Sequence, residues 1–592
     1  MKIVDEHTIP TDSIGAADRK HQEQAAQVQA ERDKIEYQGA SSKQSTLKTR
    51  CVVRGDAILP IVNLLGESFG RRIPINRAYK FADLWQPTAA LASFRTVVLD
   101  CYSDPSGDKE LWSVDLPSAF TQCSWPSDAP KHFVRFSPEI RRLMDPKYSG
   151  SSLKAPCFRL LKCLYGHPVS GFEYQRLLIK HLKQNGFIEC EGDKGLLRHK
   201  TMDITICVYV DDIAISATQK TALWFAEIVR QQFKTDDPEP CRKYLSIEVF
   251  GTKDAGGESI VELSQTAYAR TILKQYEELF PERKCHPRQA PAAWEEEEST
   301  CAHNKQDDQN SEFRTEKYVH KLQQICGSLL WLSRGTRPDI TGPTGHIACG
   351  LHRWDEKMQK YLDGLIGYLT YSQNKRLIWK LNTRHKDEWN TDLVVDANWS
   401  RKSTSSHVLA VSGVDTHVTL DWSAKKIQLA CMSSCASEVA ALGLSTSNAI
   451  CLAAWVATNI LHKSMSDVNE SGDALVRLLG DNSSSLRIVK RGHSALCASF
   501  LSAMHRTFRL KIQYLHQLYM ARILAPRHIR TAENSADLNS KLSHPKSTFI
   551  TLSQYIGVAF DVSQLRHYHI RDGADCPLNL RLCEDRIGRA KY

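Results

Sequence analysis

Two adjacent carboxylates, Asp211 and Asp212, stand between the apolar runs Ile204–Val210 and Ile213–Ala217. Both runs are rich in β-branched residues, which predicts two short strands with the carboxylates at the tip of their hairpin. Unpaired charge is costly to bury, so such a tip is either solvated or loaded with a cation. A hydrated Asp-Asp turn satisfies the first reading, because aspartate is a common turn residue. Mg²⁺ satisfies the second, because it takes carboxylate oxygens together with substrate phosphates.

Upstream, Asp115 ends the strand-like run Leu111–Asp115, and an aromatic, Phe120, follows five residues later. One carboxylate on a strand facing two on a neighbouring hairpin is the arrangement that holds two divalent ions about 4 Å apart. Of the two ions, one lowers the pKa of an attacking 3′-hydroxyl and the other steadies a leaving pyrophosphate. Phe120 would then lie under the incoming sugar and exclude a 2′-hydroxyl. Taken alone, Asp115 reads as a strand-end cap and Phe120 as a core aromatic.

A second set of carboxylates lies near the C-terminus. Asp396 sits in the strand-like Leu393–Ala397, and Glu438 opens a stretch whose apolar residues recur at helical spacing. Asp481 follows the apolar run Leu475–Leu479, and Asp537 lies near a helix start within Asn534–Lys541. Four carboxylates drawn from two strands and two helices can converge on two metals, the usual organisation for phosphodiester hydrolysis. Singly, Asp537 reads as a helix N-terminal charge and Asp481 as a turn residue. Between the third and fourth carboxylates runs a basic, aromatic-interleaved stretch from Arg506 to Arg530, holding Arg509, Lys511, Tyr514, His516 and Tyr519. Its cations would neutralise backbone phosphates without regard to sequence, and the spacing of Leu510, Leu518 and Ile523 predicts a surface helix with a basic face.

The elements that must position these groups are drawn from 592 residues, enough for several domains with cores of their own. Hydrophobic residues make up 42% and charged residues 24%, an ordinary balance for a soluble globular protein. The 18 cysteines form no CxxC pair and no Cys/His ligand spacing, which argues against a zinc module and for reduced intracellular thiols. A net charge of +10 permits a polyanionic partner. No apolar run reads as a bilayer span; Ala449–Leu461 holds Thr458 and Asn459 and predicts a buried helix. Met1–Gln29 is polar and lacks the apolar centre of a signal peptide, so the expected location is intracellular.

Composition divides the chain into a polar arm over residues 1–45, mixed strands and helices over 46–285, and an acidic linker with helical patterning over 286–388. A strand-rich unit follows over 389–545, then a tail of unknown role over 546–592. The expected fold class is α/β and α+β multidomain.

Taken together, these blocks resemble the reverse transcriptase and RNase H region of copia-type LTR retrotransposons, collinearly from about Lys48 to Leu542, roughly five-sixths of the chain. Asp115–Phe120 resembles the first catalytic block, and Tyr209-Val-Asp-Asp212 matches the polymerase box. Leu161-Lys-Cys-Leu-Tyr-Gly166, Tyr244-Leu-Ser-Ile-Glu248, Val261-Glu-Leu-Ser-Gln265 and the long block Gly327–Ile340 resemble further segments in the same order. Lys48-Thr-Arg-Cys-Val-Val-Arg-Gly55 is similar to the fingers block, which makes Lys48 and Arg50 the expected triphosphate contacts. Arg401-Lys-Ser-Thr-Ser405 and Asp421-Trp-Ser-Ala-Lys-Lys426 support the nuclease match, in which Asn398 occupies a non-catalytic acidic position.

The resemblance implies a right-hand polymerase of fingers, palm and thumb followed by an RNase H-like domain. Two Mg²⁺ or Mn²⁺ ions are implied at each centre, held by Asp115, Asp211 and Asp212 in one and by Asp396, Glu438, Asp481 and Asp537 in the other. The implied partners are an RNA template, a DNA primer, the RNA–DNA hybrid and deoxynucleoside triphosphates, with a homodimer or association with other element-encoded proteins left open. The location it implies is cytoplasmic, in a virus-like particle, or nuclear. Where the family usually carries a glutamine after Tyr165-Gly166, this chain reads His167-Pro-Val-Ser-Gly171, with Val169 in its place. That glutamine helps position nucleotide and template. With Val169, and with no Asp-Thr/Ser-Gly protease motif or His/Cys zinc module in the chain, the alternative is a relic of such an element that retains only nucleic-acid binding.

Overall fold

The computed structural model describes residues 89–127, 132–135, 158–291 except 255, 315–493 except 401, 432, 472 and 473, and 506–570 except 542. It also describes the strand segments Lys2–Asp5, Arg54–Leu59, Ile61–Val62, Ser68–Phe69 and Ile73–Pro74. Lys48, Arg50, most of the N-terminal arm, the acidic run 292–314 and the terminal residues 571–592 lie outside the described residues.

In chain order the principal elements begin with helix α1 (Leu91–Tyr102), strand β1 (Glu110–Asp115) and helix α2 (Ser170–Gln184). Strands β2 (Asp193–His199), β3 (Thr205–Tyr209), β4 (Asp212–Ala217), β5 (Ile247–Lys253) and β6 (Glu258–Ser264) follow. Helices α3 (Thr266–Leu279), α4 (Glu316–Gly335), α5 (Thr341–Gly350) and α6 (Glu356–Ser372) come next. Then come β7 (Arg376–Asn382), β8 (Asn390–Ala397), β9 (Thr404–Gly413), β10 (Thr416–Lys426), α7 (Ser434–Asn459), β11 (Val476–Gly480) and α8 (Ser483–Arg491). The run closes with α9 (Arg506–Met520), β12 (Leu524–His528), α10 (Lys546–Tyr555) and the two-residue strand β13 (Val558–Ala559).

Two compact units divide the chain: Met1–Thr88, Asp115–Phe187 and Phe225–Asp236 form one, and Ala89–Val114, Ile188–Trp224 and Asp237–Tyr592 the other. In the first, α2 buries Tyr174, Leu178 and Leu182 along one face at helical spacing. The buried imidazoles of His132 and His167 meet at 2.8 Å beside the Trp125 ring.

A six-stranded sheet of the second unit has the order Glu239–Pro240, β1, β4, β3, β2, Phe187–Cys190. Apolar residues fill β3 and β4 without alternation, as expected of strands covered on both faces. Helix α1 packs on β4 and β3 and buries every residue from Ala92 to Cys101, Arg95 included.

A larger sheet joins ten strands of the described residues in the order Lys243–Tyr244, β5, β6, β7, β10, β9, β8, β11, β12, with β13 added beside β7. Strands β8, β9 and β10 form an antiparallel meander, and β11 and β12 run parallel to β8. Helix α7 lies across β8 and β9, and α9 packs on α7 and α8. Helix α7 is long and apolar enough by length and composition to cross a membrane, contrary to the reading that no such segment exists. However, 72% of its most apolar window is buried in the protein, which makes it the central core helix.

The acidic linker and helical block expected at 286–388 does not stand apart among the described residues. Helices α4 and α6 and strand β7 share the core of the second unit. The Gly327–Ile340 block folds back on itself there. Arg337 makes two hydrogen bonds to Asp339, at 2.9 and 2.8 Å, and donates to the Ser372 carbonyl at 2.9 Å, while Tyr368 donates to Asp339. The first part of the tail also has a structural place. Helix α10 buries Phe549 and Leu552, β13 pairs with β7, and the Tyr568 hydroxyl donates to Asp392 in β8.

The expectation for the basic stretch needs correction. Leu510 is 54% exposed, and the buried stripe of α9 runs instead through Phe508, Ile512 and Leu515. Lys511 donates to the Ala440 carbonyl of α7, and His516 donates to the Val489 carbonyl of α8, so both bind neighbouring helices.

Candidate active site

Tyr209 pairs with Asp212, which leaves Val210 and Asp211 as a two-residue turn. Such turns require a left-handed residue to follow the twist of their strands, and Val210 takes that role at φ 58°. A β-branched residue pays for this conformation, on the order of 1–3 kcal/mol. The packing beneath holds it there. The Tyr244 hydroxyl lies within hydrogen-bond reach of the carbonyls of Cys207 (3.3 Å) and Asp212 (3.0 Å), one on each strand, and the Tyr244 ring stacks on Phe94 at 4.6 Å. Burial raises the Tyr244 phenol well above its ordinary pKa, so it remains a donor. The Trp112 indole donates to the Ala217 carbonyl at 3.1 Å and ties β1 to β4. Asp211 is half-buried and Asp212 exposed.

Asp115 is the last residue of β1, and its side chain is exposed. Its carbonyl accepts from the Thr235 hydroxyl at 3.0 Å and the Asp236 amide at 3.3 Å. Phe120 is half-buried against the rings of Tyr165 (4.8 Å) and Tyr174 (5.7 Å). Val169 is buried at the N-cap of α2, where its amide donates to His167 Nδ1 at 3.2 Å. Asp115 belongs to the first unit, and Asp211 and Asp212 to the second.

Within the second unit, three carboxylates converge. Strand β8 presents Asp396, the second turn of α7 presents Glu438, and the residue after β11 is Asp481; one oxygen from each lies within 4.8 Å of the others. Local sequence fixes each position. The Ser433 hydroxyl caps α7 by accepting the Ala436 amide at 3.1 Å, and Asn482 caps α8 by accepting the Ser485 amide at 3.0 Å. Asp396 accepts from Asn534 Nδ2 at 3.1 Å and from the Ser540 hydroxyl. His528 donates to the Asp481 carbonyl at 3.0 Å.

Burial and the charges of Asp537 and Asp481 push the Asp396 carboxyl up to about 8. Burial and the charges of Asp396 and Asp481 push Glu438 up to about 9. A set of hard oxygen donors whose charge is under-compensated, at this spacing, fits a divalent cation.

Asp537, the fourth expected ligand, opens the short helix Asp537–Ser540 beside this set. Its carboxylate pairs with Lys541 at 2.6 Å and lies 3.4 Å from the Ser540 hydroxyl that also serves Asp396. Asn398 accepts the Thr404 amide at 2.5 Å and shapes the turn between β8 and β9. Sequence reasoning missed Asn534, Ser540, Lys541 and His528 as supporting groups. Asn534, Asp537 and Ser540 recur every three residues, a spacing that could have suggested one shared face.

Residues 144–293 match the family model described as reverse transcriptase (RNA-dependent DNA polymerase). The match takes in Val169 and the Tyr209–Asp212 hairpin, about a quarter of the chain. Among solved structures, the chain is similar to a foamy viral protease-reverse transcriptase in complex with RNA/DNA hybrid, at 12% identity and a TM-score of 0.43, covering 89% of this chain and 56% of that one. A second likeness is to the foamy viral protease-reverse transcriptase dRH in complex with ds DNA, at 12% identity and a TM-score of 0.34, covering 83% of this chain and 67% of that one. The chain thus spans little more than half the length of the first of these proteins.

Proposed function

We propose that this chain is an RNA-directed DNA polymerase with a second, RNase H-type centre that cleaves the RNA strand of RNA–DNA hybrids. The observation that carries the reading is the reverse transcriptase match over residues 144–293, with Asp211 and Asp212 of that segment on a strained two-residue hairpin. Asp115, Asp211 and Asp212 form the proposed polymerising set, and Phe120 is the proposed sugar-side aromatic. Lys48 and Arg50 are the proposed triphosphate contacts.

The nuclease half of the reading is supported by the Asp396, Glu438 and Asp481 cluster and by the 3-2-1-4-5 order of the strands that carry it, counting β8, β9, β10, β11 and β12 as one to five. Divalent cations, Mg²⁺ or Mn²⁺, supply Lewis-acid stabilisation of charge at phosphorus and a more acidic water when bound there. The chain's own residues do the rest. Asn534 and Ser540 orient Asp396, and Lys541 holds Asp537 beside it. Burial of Asp396 and Glu438 strengthens every electrostatic contact at the site.

Incorporation of dTTP on a poly(rA)/oligo(dT) primer-template with Mg²⁺ or Mn²⁺ tests the polymerase. Metal-dependent extension by the natural chain, absent from a chain carrying Asp211→Asn and Asp212→Asn, is the expected result. Hybrid binding without extension would overturn it in favour of a relic that only binds nucleic acid, the reading that the buried Val169 favours. Cleavage of the RNA strand of a labelled hybrid, lost on Asp396→Asn, tests the second centre separately.

A further inference from the structure

The turn between β8 and β9, which follows directly on the strand that carries Asp396, presents a large aromatic. Trp399 follows Asp396 by three residues and is 60% exposed. Its indole N–H donates inward to the Cys431 carbonyl at 3.0 Å. The turn beneath is held by the Asn398 amide on the Thr404 carbonyl (3.2 Å) and the Thr404 amide on the Asn398 side chain (2.5 Å). The ring is therefore pinned by one edge with its polar handle satisfied, and an exposed indole so fixed loses little conformational freedom on binding. The chain on either side leads to the carboxylates: the turn follows directly on the strand that carries Asp396, and Cys431 precedes the helix that carries Glu438.

The surroundings are cationic. Lys402 of the same turn and Lys425 and Lys426 at the end of β10 are exposed. The register sets Thr404 opposite Lys426 and Ser405 opposite Lys425, so these lysines share the end of the sheet where Trp399 emerges. Lysines that attract phosphates and an aromatic face, at the end of a strand that carries a hard-metal ligand, match the chemistry of a nucleic-acid strand. Every base offers a π-face to such a ring.

We propose that Trp399 contacts the substrate of the nuclease centre, stacking on a nucleotide of the bound RNA–DNA hybrid close to the bond to be cut. This rests on the nuclease reading above. Trp399 fixes where the strand lies, and Lys402 and Lys425 hold its backbone.

The test uses the full chain and a labelled RNA–DNA hybrid, with binding measured by anisotropy in Ca²⁺ and cleavage measured in Mg²⁺. Trp399→Ala is expected to raise Kd and KM about tenfold, in line with aromatic–base stacking, with kcat changed less than about threefold. Trp399→Phe is expected to recover most of the affinity, because a smaller ring still stacks. The salt dependence of Kd is expected to keep its slope in both variants, since no phosphate contact is removed. Removing Lys402 and Lys425 together should flatten that slope. A natural chain that binds and cleaves the hybrid while Trp399→Ala leaves Kd and KM unchanged would overturn this proposal alone. Equal losses in Trp399→Ala and Trp399→Phe, accompanied by a lower Tm, would also overturn it, by making the residue structural. A natural chain that neither binds nor cleaves the hybrid would overturn the nuclease reading as well.

Discussion

Asp396 and Glu438 are carboxyls whose surroundings resist their ionisation, for burial and mutual repulsion raise them to about 8 and about 9. An unfolded aspartate or glutamate ionises near pH 4. Between that range and the folded values the native chain holds more protons than the unfolded chain, so stability falls as pH rises. Without divalent cations, Tm should therefore decline from about pH 5 toward pH 9. Asp396→Asn should flatten that decline while abolishing hybrid cleavage. Parallel Tm curves for the two chains in EDTA would count against the electrostatic account. Val210 poses the opposite case, a residue strained by geometry instead of charge. Val210→Gly relieves the left-handed backbone and should stabilise the chain by about 1 kcal/mol in urea titrations. It should also slow nucleotide incorporation, because a softer turn holds Asp211 less firmly.

Among elements, the helices and strands around the sites are joined by buried ion-pair networks. The Arg95 guanidinium of α1 donates to the Leu420 carbonyl of β10 at 2.5 Å and to the carbonyls of Arg334 (3.1 Å) and Gly335 (3.0 Å) in α4, and it stacks on Trp422 at 4.0 Å. One side chain thereby joins the helix behind the hairpin to the sheet of the carboxylate cluster. The Arg337–Asp339 pair, both residues at most 1% exposed, does the same between α4 and α6. Arg337→Ala would leave Asp339 buried without its guanidinium, a loss of about 3–5 kcal/mol. Thermal unfolding should show it as a large fall in Tm, and a change worth less than about 1 kcal/mol would mean that the pair is replaceable.

For the molecule as a whole, the ten-stranded sheet draws on residues from Lys243 to Ala559, so sequence-distant segments share one core. Deleting residues 546–592 would remove β13 from the side of β7, the buried Phe549, Leu552, Ile556 and Val558, and the Ile556 carbonyl that accepts from Thr419 at 2.8 Å. Each large apolar side chain contributes about 1.5–3 kcal/mol by burial. The truncated chain should lose on the order of 10 °C in Tm by scanning fluorimetry. An unchanged Tm would show the tail to be dispensable.

Much was written locally. The Asp211-Asp212 hairpin, the strands before Asp396 and Asp481, and the helix around Glu438 follow from residue type and period, because neighbours along the chain set turn chemistry and burial pattern. The sequence alone could not say that Asp396, Glu438 and Asp481 meet with Asp537 beside them, paired to Lys541. It also could not say that α9 turns Phe508, Ile512 and Leu515 inward in place of Leu510, or that Trp399 is pinned to Cys431. Those outcomes depend on which distant surfaces pack together. A side chain's charge state, exposure and partner are set by groups tens or hundreds of residues away, and only the folded chain brings those groups within reach.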